Sequence, residues 1–184
     1  MIVLTDTGFH VKTGDPANMK VCQRGTWNTR MLVETVLSML TTLMDISEAE
    51  TGTMKLNRSP VDLGTLASEV AAVYEDTAED AGVALAAKVP HGLVVHADRD
   101  RLRQALANLV DNAIKYTPTG GHVEVEALQG DGSVSLSVRD TGAGIAEHEI
   151  PRIWDRLYRG DQSRTTRGLG LGLSLVRASV EAQG

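Results

Sequence analysis

The chain has 184 residues, 42% of them apolar, which is enough for one domain core with an appended element. Aromatic residues make up only 3%, so that core is built from Leu, Val, Ala, Ile and Met. A formal charge of −6 with no long basic run argues against nucleic acid as the main partner, and the single cysteine, Cys22, excludes an intrachain disulfide and a cysteine-based zinc site.

Residues 1–25 have no sustained period and stay unassigned. MIVLTDTGFH begins like a short strand, which Gly14-Asp15-Pro16 breaks. No basic-then-apolar secretory signal opens the chain, and no run of about twenty apolar residues occurs. No membrane contact is expected from these residues. A cytoplasmic setting fits, whether or not the parent protein is anchored elsewhere.

From about Thr26 to Glu50 apolar residues recur at spacings of three and four: Leu32 or Val33, Val36 or Leu37, Leu40, and Leu43 or Met44. So long and narrow a stripe suits a helical hairpin or coiled coil, and needs a partner helix to cover it. Gly52 is the expected stop. Residues 53–61 read as a linker. Asp62 is placed to cap a helix running to about Ala81, with Gly82 after it. Val83–Val89 and Leu93–His96 read as strands.

The organising stretch is Arg101–Pro118, RLRQALANLVDNAIKYTP, capped by Asp98 or Asp100. On a helical turn of about 3.6 residues, Leu102, Ala105, Leu106, Leu109, Val110 and Ala113 form an apolar stripe with Ile114 at its edge. Asn108, Asn112 and Lys115 lie together on its flank, and Asp111 is expected to point away towards water. Two amides beside a core-facing stripe need hydrogen-bond partners, which makes this flank a candidate pocket wall.

A hairpin follows, with Val123 and Val125 on one strand and Val134, Leu136 and Val138 on the other, turned by Gln129–Gly132. The same alternation carries Asp140 onto the core face, where a carboxylate needs donors. A purine amino group would serve; the alternative is an Asp-Gly turn whose carboxylate bonds its own loop. Gly142 and Gly144 let the backbone turn, with Ile145 after them. A short helix is expected next, then a basic stretch with Arg156, Tyr158, Arg159, Arg164 and Arg167. Gly168-Leu169-Gly170-Leu171-Gly172 then opens a last helix, Leu171–Ala182. Bare N–H groups at a helix N-terminus favour phosphate, although the spacing is neither a dinucleotide fingerprint nor a P-loop. Helices against a mostly antiparallel sheet make this an α+β protein, a two-layer α/β sandwich.

The four motifs, in this order, resemble the catalytic ATP-binding domain of sensor histidine kinases. NLVDNAIKYT is similar to the family's N box, DTGAGI to its first glycine box, IWDRLYRGD to its F box and RGLGLGLSLV to its second glycine box. The resemblance runs from about Met31 to the end. It implies the sandwich shared with gyrase and chaperone ATPases over 62–184, preceded at 26–52 by the second helix of a dimerisation hairpin, hence a homodimer. It also implies ATP and Mg2+ as cofactors and a response-regulator receiver domain as partner.

Residue by residue, Asn112 matches the magnesium ligand, and Asn108 the position where hydrolysing relatives carry a water-activating glutamate. Lys115 would contact phosphate, Tyr116 the nucleoside and Asp140 the adenine amino group. Gly142, Gly144 and Ile145 would lie beneath the base. Gly168, Leu169, Gly170, Leu171 and Gly172 would bracket the triphosphate. Residues from about Asp155 to Arg167 would form a lid, bringing Arg156, Tyr158 and Arg159 to the nucleotide; Arg159 joins Asn108 and Lys115 in the transfer step.

Trp154 and Leu157 stand where the F box commonly has phenylalanine. The acceptor histidine of the family's H box has no match: His10 lacks the acidic residue and proline that follow it, and His91, His96, His122 and His148 lie within the ATP-binding region. The family's last two strands are likewise unmatched. The resemblance therefore implies a kinase acting on an acceptor outside this chain. A degenerate, dimerising ATP-binding scaffold and a hydrolysing ATPase are the alternatives.

Overall fold

The computed structural model describes residues 4–5, 20–21, 24–130, 133–160 and 169–183, with side chains from Glu34 onward. His10, Cys22, Arg164, Arg167 and Gly168 lie outside the described residues. The chain divides into two compact units, Met1–Thr42 and Leu43–Gly184. In the first, strands β1 (Leu4–Thr5) and β2 (Lys20–Val21) pair in parallel and most of helix α1 (Arg24–Glu50) follows.

The second unit begins with the last turns of α1. There Asp45 and Ile46 become buried, and Gly52, at φ +67°, ends the helix. The segment read as a linker is partly strand: β3 (Arg58–Asp62) pairs antiparallel with β5 (Val94–Asp98), Pro60 opposite His96. A proline cannot donate to the ladder and is tolerated in a strand that pairs on one side, which is why a Pro-containing polar run hid it. Asp62 caps α2 (Leu63–Ala81) by accepting from the Thr65 N–H at 2.7 Å, and Gly82 ends it in the left-handed conformation. Both signals are as the sequence has them.

β4 (Ala84–Lys88) pairs in parallel with β6 (His122–Gln129), which pairs antiparallel with β7 (Val134–Asp140). Helices α2 and α4 (Gly172–Gln183) each pack on α3 (Arg99–Tyr116), with α2 and α3 lying on this sheet. Val123 and Val125 from β6 meet Leu106, Val110, Ala113 and Ile114 from α3 and Leu66, Ala67 and Val70 from α2 in one core. Each such valine, leucine or isoleucine contributes about 1.5–3 kcal/mol by leaving water. The α3 stripe is therefore the keel of the α+β sandwich. The short helix expected after Ile145 is a single 3₁₀ turn, Ile150–Arg152, opened by Pro151.

Candidate functional site

Asp98 fixes the start of α3. Its Oδ1 accepts from the N–H groups of Asp100 and Arg101, both at 3.1 Å, and its Oδ2 accepts from the Asn57 N–H at 2.8 Å. Burial pushes this carboxyl up, but the three N–H donors and the nearby Arg101 guanidinium outweigh it and hold it below the ordinary value. Arg101 reaches back to Asp45 on α1, Nη1 to Oδ2 at 2.6 Å, and also donates to Gln104 Oε1 at 3.2 Å. The hydrogen bond it donates to Asp45 raises the Arg101 pKa most.

One further turn along, Asn108 donates Nδ2–H to the Gln104 carbonyl at 2.8 Å. The amide oxygen is thereby turned towards the start of α4. A Cβ on Gly172 would lie 3.0 Å from Asn108 Oδ1 and 3.8 Å from Asn112 Nδ2. The second glycine segment thus rests directly on the asparagine row. Leu171 anchors it from below, 4% exposed, while Leu169 faces outward.

The Asp140 turn meets the other end of α3. A Cβ on Gly142 would come within 2.5 Å of the Tyr116 carbonyl, so only glycine fits without a shift. The Ala143 N–H donates to that carbonyl at 3.3 Å. Lys115, Tyr116, Thr117, Pro118, Thr141, Gly142 and Ala143 line an open cleft of about 340 Å³. The basic aromatic segment closes on the glycine ladder as well. Gly170, at φ +70°, faces the Tyr158 carbonyl, which a Cβ would approach to 2.5 Å. Tyr158 lies under the Arg152 guanidinium, 4.5 Å from ring centroid to Cζ.

Two expectations need correction. Asp140 does share a face with its partner Val123, which is 1% exposed, but the carboxylate itself is exposed because β7 ends at the rim of the sandwich. There it accepts from the Gly142 N–H at 2.8 Å, so the self-bonded turn is present, with the carboxylate open to solvent. Asp111 does not point away. It lines a second groove of about 520 Å³ with Tyr74, Gln104 and Asn108, and its Oδ2 accepts from Lys115. A position one turn from Lys115 is within reach of so long a side chain. Apart from these two, Arg156 is hydrogen-bonded to Glu50 at the end of α1.

Residues 97–184 match the family model for histidine kinase-, DNA gyrase B- and HSP90-like ATPases. The histidine protein kinase DivJ of Caulobacter vibrioides is 38% identical over 152 residues, covering 81% of this chain and 25% of that protein. The signal transduction histidine-protein kinase BaeS of Escherichia coli is 31% identical over 152 residues, covering 82% of this chain and 32% of its own length. The catalytic domain of histidine kinase ThkA superposes with a TM-score of 0.61 at 30% identity, over 68% of this chain and 82% of that one. This chain belongs to the histidine kinase family. Full-length ShkA, solved in complex with AMPPNP, matches over 90% of the chain and 35% of its own length, with a TM-score of 0.72 at 30% identity. The chain spans about a third or less of the length of DivJ and of BaeS.

Within this histidine kinase ATPase domain, Asn108, Asn112, Lys115, Tyr116, Gly142, Gly170, Leu171 and Gly172 are brought together around α3. Asp140 accepts from Gly142 in the adjoining turn, and Gly144 and Ile145 follow it exposed to solvent. Tyr158 and Arg159 cover the glycine ladder through their segment. Arg101, Gln104 and Asp111 were missed. Their signal was present: Arg101 and Gln104 lie seven and four residues before Asn108, on the same helix face. No described helix is long and apolar enough to cross a membrane.

Proposed function

We propose that this chain binds ATP in the cleft between α3, the Asp140 turn and the start of α4, and passes the γ-phosphoryl group to a histidine on a separate acceptor helix. The observation that carries this reading is the contact of Gly172 with the asparagine row, while Gly142 abuts the other end of the same helix. Bare glycine backbone at the N-terminus of α4 offers N–H groups and a positive dipole end to phosphate oxygens. The exposed Asp140 carboxylate suits an adenine amino group at the opposite end.

The amide oxygens of Asn108 and Asn112 are hard donors of the kind that Mg2+ accepts. Among the described residues no group of three or more His, Cys, Asp or Glu could hold a metal by itself, which suits an ion that reaches the protein through phosphate and an amide. Asn112 would be its ligand, and the ion would supply charge neutralisation between the phosphates. Asn108 cannot take a proton from water, so the site favours transfer over hydrolysis. In the transfer, an imidazole nitrogen bonds the γ-phosphorus as the bond to the β-phosphate oxygen breaks. ADP leaves with that electron pair and the ring proton passes to solvent. Lys115, Arg159 and the α4 N-terminus would stabilise the charge on the moving group.

The exposed apolar stripe of α1, with Val36, Leu37, Leu40 and Met44, supports a homodimer through this helix. A response-regulator receiver domain, in the cytoplasm, would take the phosphoryl group onward.

Calorimetric titration of the full chain with ATP and magnesium tests the site. Asp140→Ala is expected to weaken binding by roughly 10- to 150-fold, the worth of a hydrogen bond to a charged group. Asn112→Ala should weaken it only when magnesium is present. Unchanged affinity in Asp140→Ala would refute the site. Radiolabelled ATP, with a separately supplied hairpin bearing an acceptor histidine, then distinguishes a transferring kinase from a scaffold that binds without transfer.

A further inference from the structure

The lysine of the asparagine row is already occupied. Its ammonium is hydrogen-bonded to Asp111 Oδ2, one helical turn back, with the two side chains 35% and 32% exposed. Lys115 lines the cleft beside Tyr116 and Gly142, whereas Asp111 lines the groove beside Asn108 and Tyr74. The pair therefore forms part of the wall between the two. Burial, and after it the charge of Asp111, pushes the half-buried Tyr74 hydroxyl up.

Resting on the reading of the cleft as a nucleotide site, we propose that Asp111 is a positioning residue: as the counter-ion of Lys115 it sets how strongly that lysine engages a nucleotide phosphate. The ammonium sits on a flexible four-carbon stem and is free to swing between two acceptors. A phosphate that draws it away has to compete with a carboxylate sheltered from full solvent screening. The same carboxylate, close to the arriving anion, also repels it. An ordinary surface pair at this spacing adds only a little helix stability and leaves ligand affinity alone.

The two outcomes separate in a double-mutant cycle on the full chain, with ATP and magnesium titrated by calorimetry into wild type, Asp111→Asn, Lys115→Met and the double variant. Asp111→Asn is expected to tighten binding by about threefold to tenfold, as loss of one nearby negative charge and release of the lysine allow. Asp111→Glu, which keeps a counter-ion, should stay near wild type. The loss caused by Lys115→Met should be larger in the Asp111→Asn background, because only there is the lysine wholly available to phosphate. Weaker binding in Asp111→Asn, or a Lys115→Met loss of equal size in both backgrounds, would overturn the inference. If Lys115→Met costs nothing in either background, the placement of phosphate at Lys115 fails instead.

Discussion

Helices α1 and α3 carry stripes of similar apolar period and meet opposite fates. On α3, Leu106, Val110, Ala113 and Ile114 are at most 5% exposed, because α2, α4 and the sheet close over them. On α1, Val36, Leu37, Leu40 and Met44 remain between 45% and 63% exposed. Periodicity announces that a face must be covered, but it does not say by what. In α3 the cover comes from the same chain and builds a domain. In α1 the stripe has the narrow form that two helices share, and a second copy of this helix is the cover proposed for it.

Paired truncations break this comparison most directly. Leu106→Ala is expected to cost about 2–5 kcal/mol of stability, as deletion of a fully packed leucine does. Leu40→Ala should change the stability of the isolated chain by no more than about 0.5 kcal/mol. It should weaken self-association, roughly tenfold if the leucine becomes buried between helices. Urea denaturation reads the first pair of values and sedimentation equilibrium the second. A large denaturation effect from Leu40→Ala would show that the α1 face is covered within one chain after all.

The α3 side of the contrast was legible because its signals are local. The apolar stripe, the Asp98 cap and the Asp62 and Gly82 ends of α2 each follow from a few neighbouring residues. Strand parity put Asp140 on the face of Val134, Leu136 and Val138, which pairing with Val123 bears out, but parity has no depth, and the rim position of the strand end left that carboxylate open. Strand β3 was hidden because its pairing with β5 joins segments more than thirty residues apart. The partners of Lys115 and Arg156 were illegible for another reason. Long charged side chains choose among several acceptors by geometry that a helical wheel does not contain.

The last turns of α1 sharpen the contrast within one helix. Where Leu40 and Met44 are exposed, Asp45 is 9% and Ile46 1% exposed, and Asp45 holds Arg101 at the start of α3. Asp45→Ala strips a guanidinium that is only 23% exposed of its counter-ion. The expected cost is about 2 kcal/mol, below that of breaking a fully buried pair because Arg101 keeps Gln104 and some solvent. Asp45→Asn should recover part of it, since the amide oxygen still accepts. A urea midpoint unmoved by Asp45→Ala would mean that the end of α1 is as independent of α3 as its exposed stripe suggests.

The smallest expected effect concerns how α3 is held at its first turn. Folding holds the Asp98 carboxyl below its ordinary value, so the ionised form stabilises the native state. That contribution is fully present above the unfolded carboxylate value of about 3.9 and is lost as pH falls through the lower, folded one. Acid should therefore loosen the N–H groups of Asn57, Asp100 and Arg101 together, freeing the entry to β3 and the start of α3 at once. Asp98→Asn keeps an acceptor for the α3 cap but loses the one for the Asn57 N–H, costs about 1 kcal/mol at neutral pH, and removes the titrating group. Chemical denaturation of both proteins between neutral pH and the acid limit should show a shallower fall for the variant. Parallel curves would mean that Asp98 titrates alike in the folded and unfolded chains, and that the start of α3 is fixed by the Asp45–Arg101 contact instead.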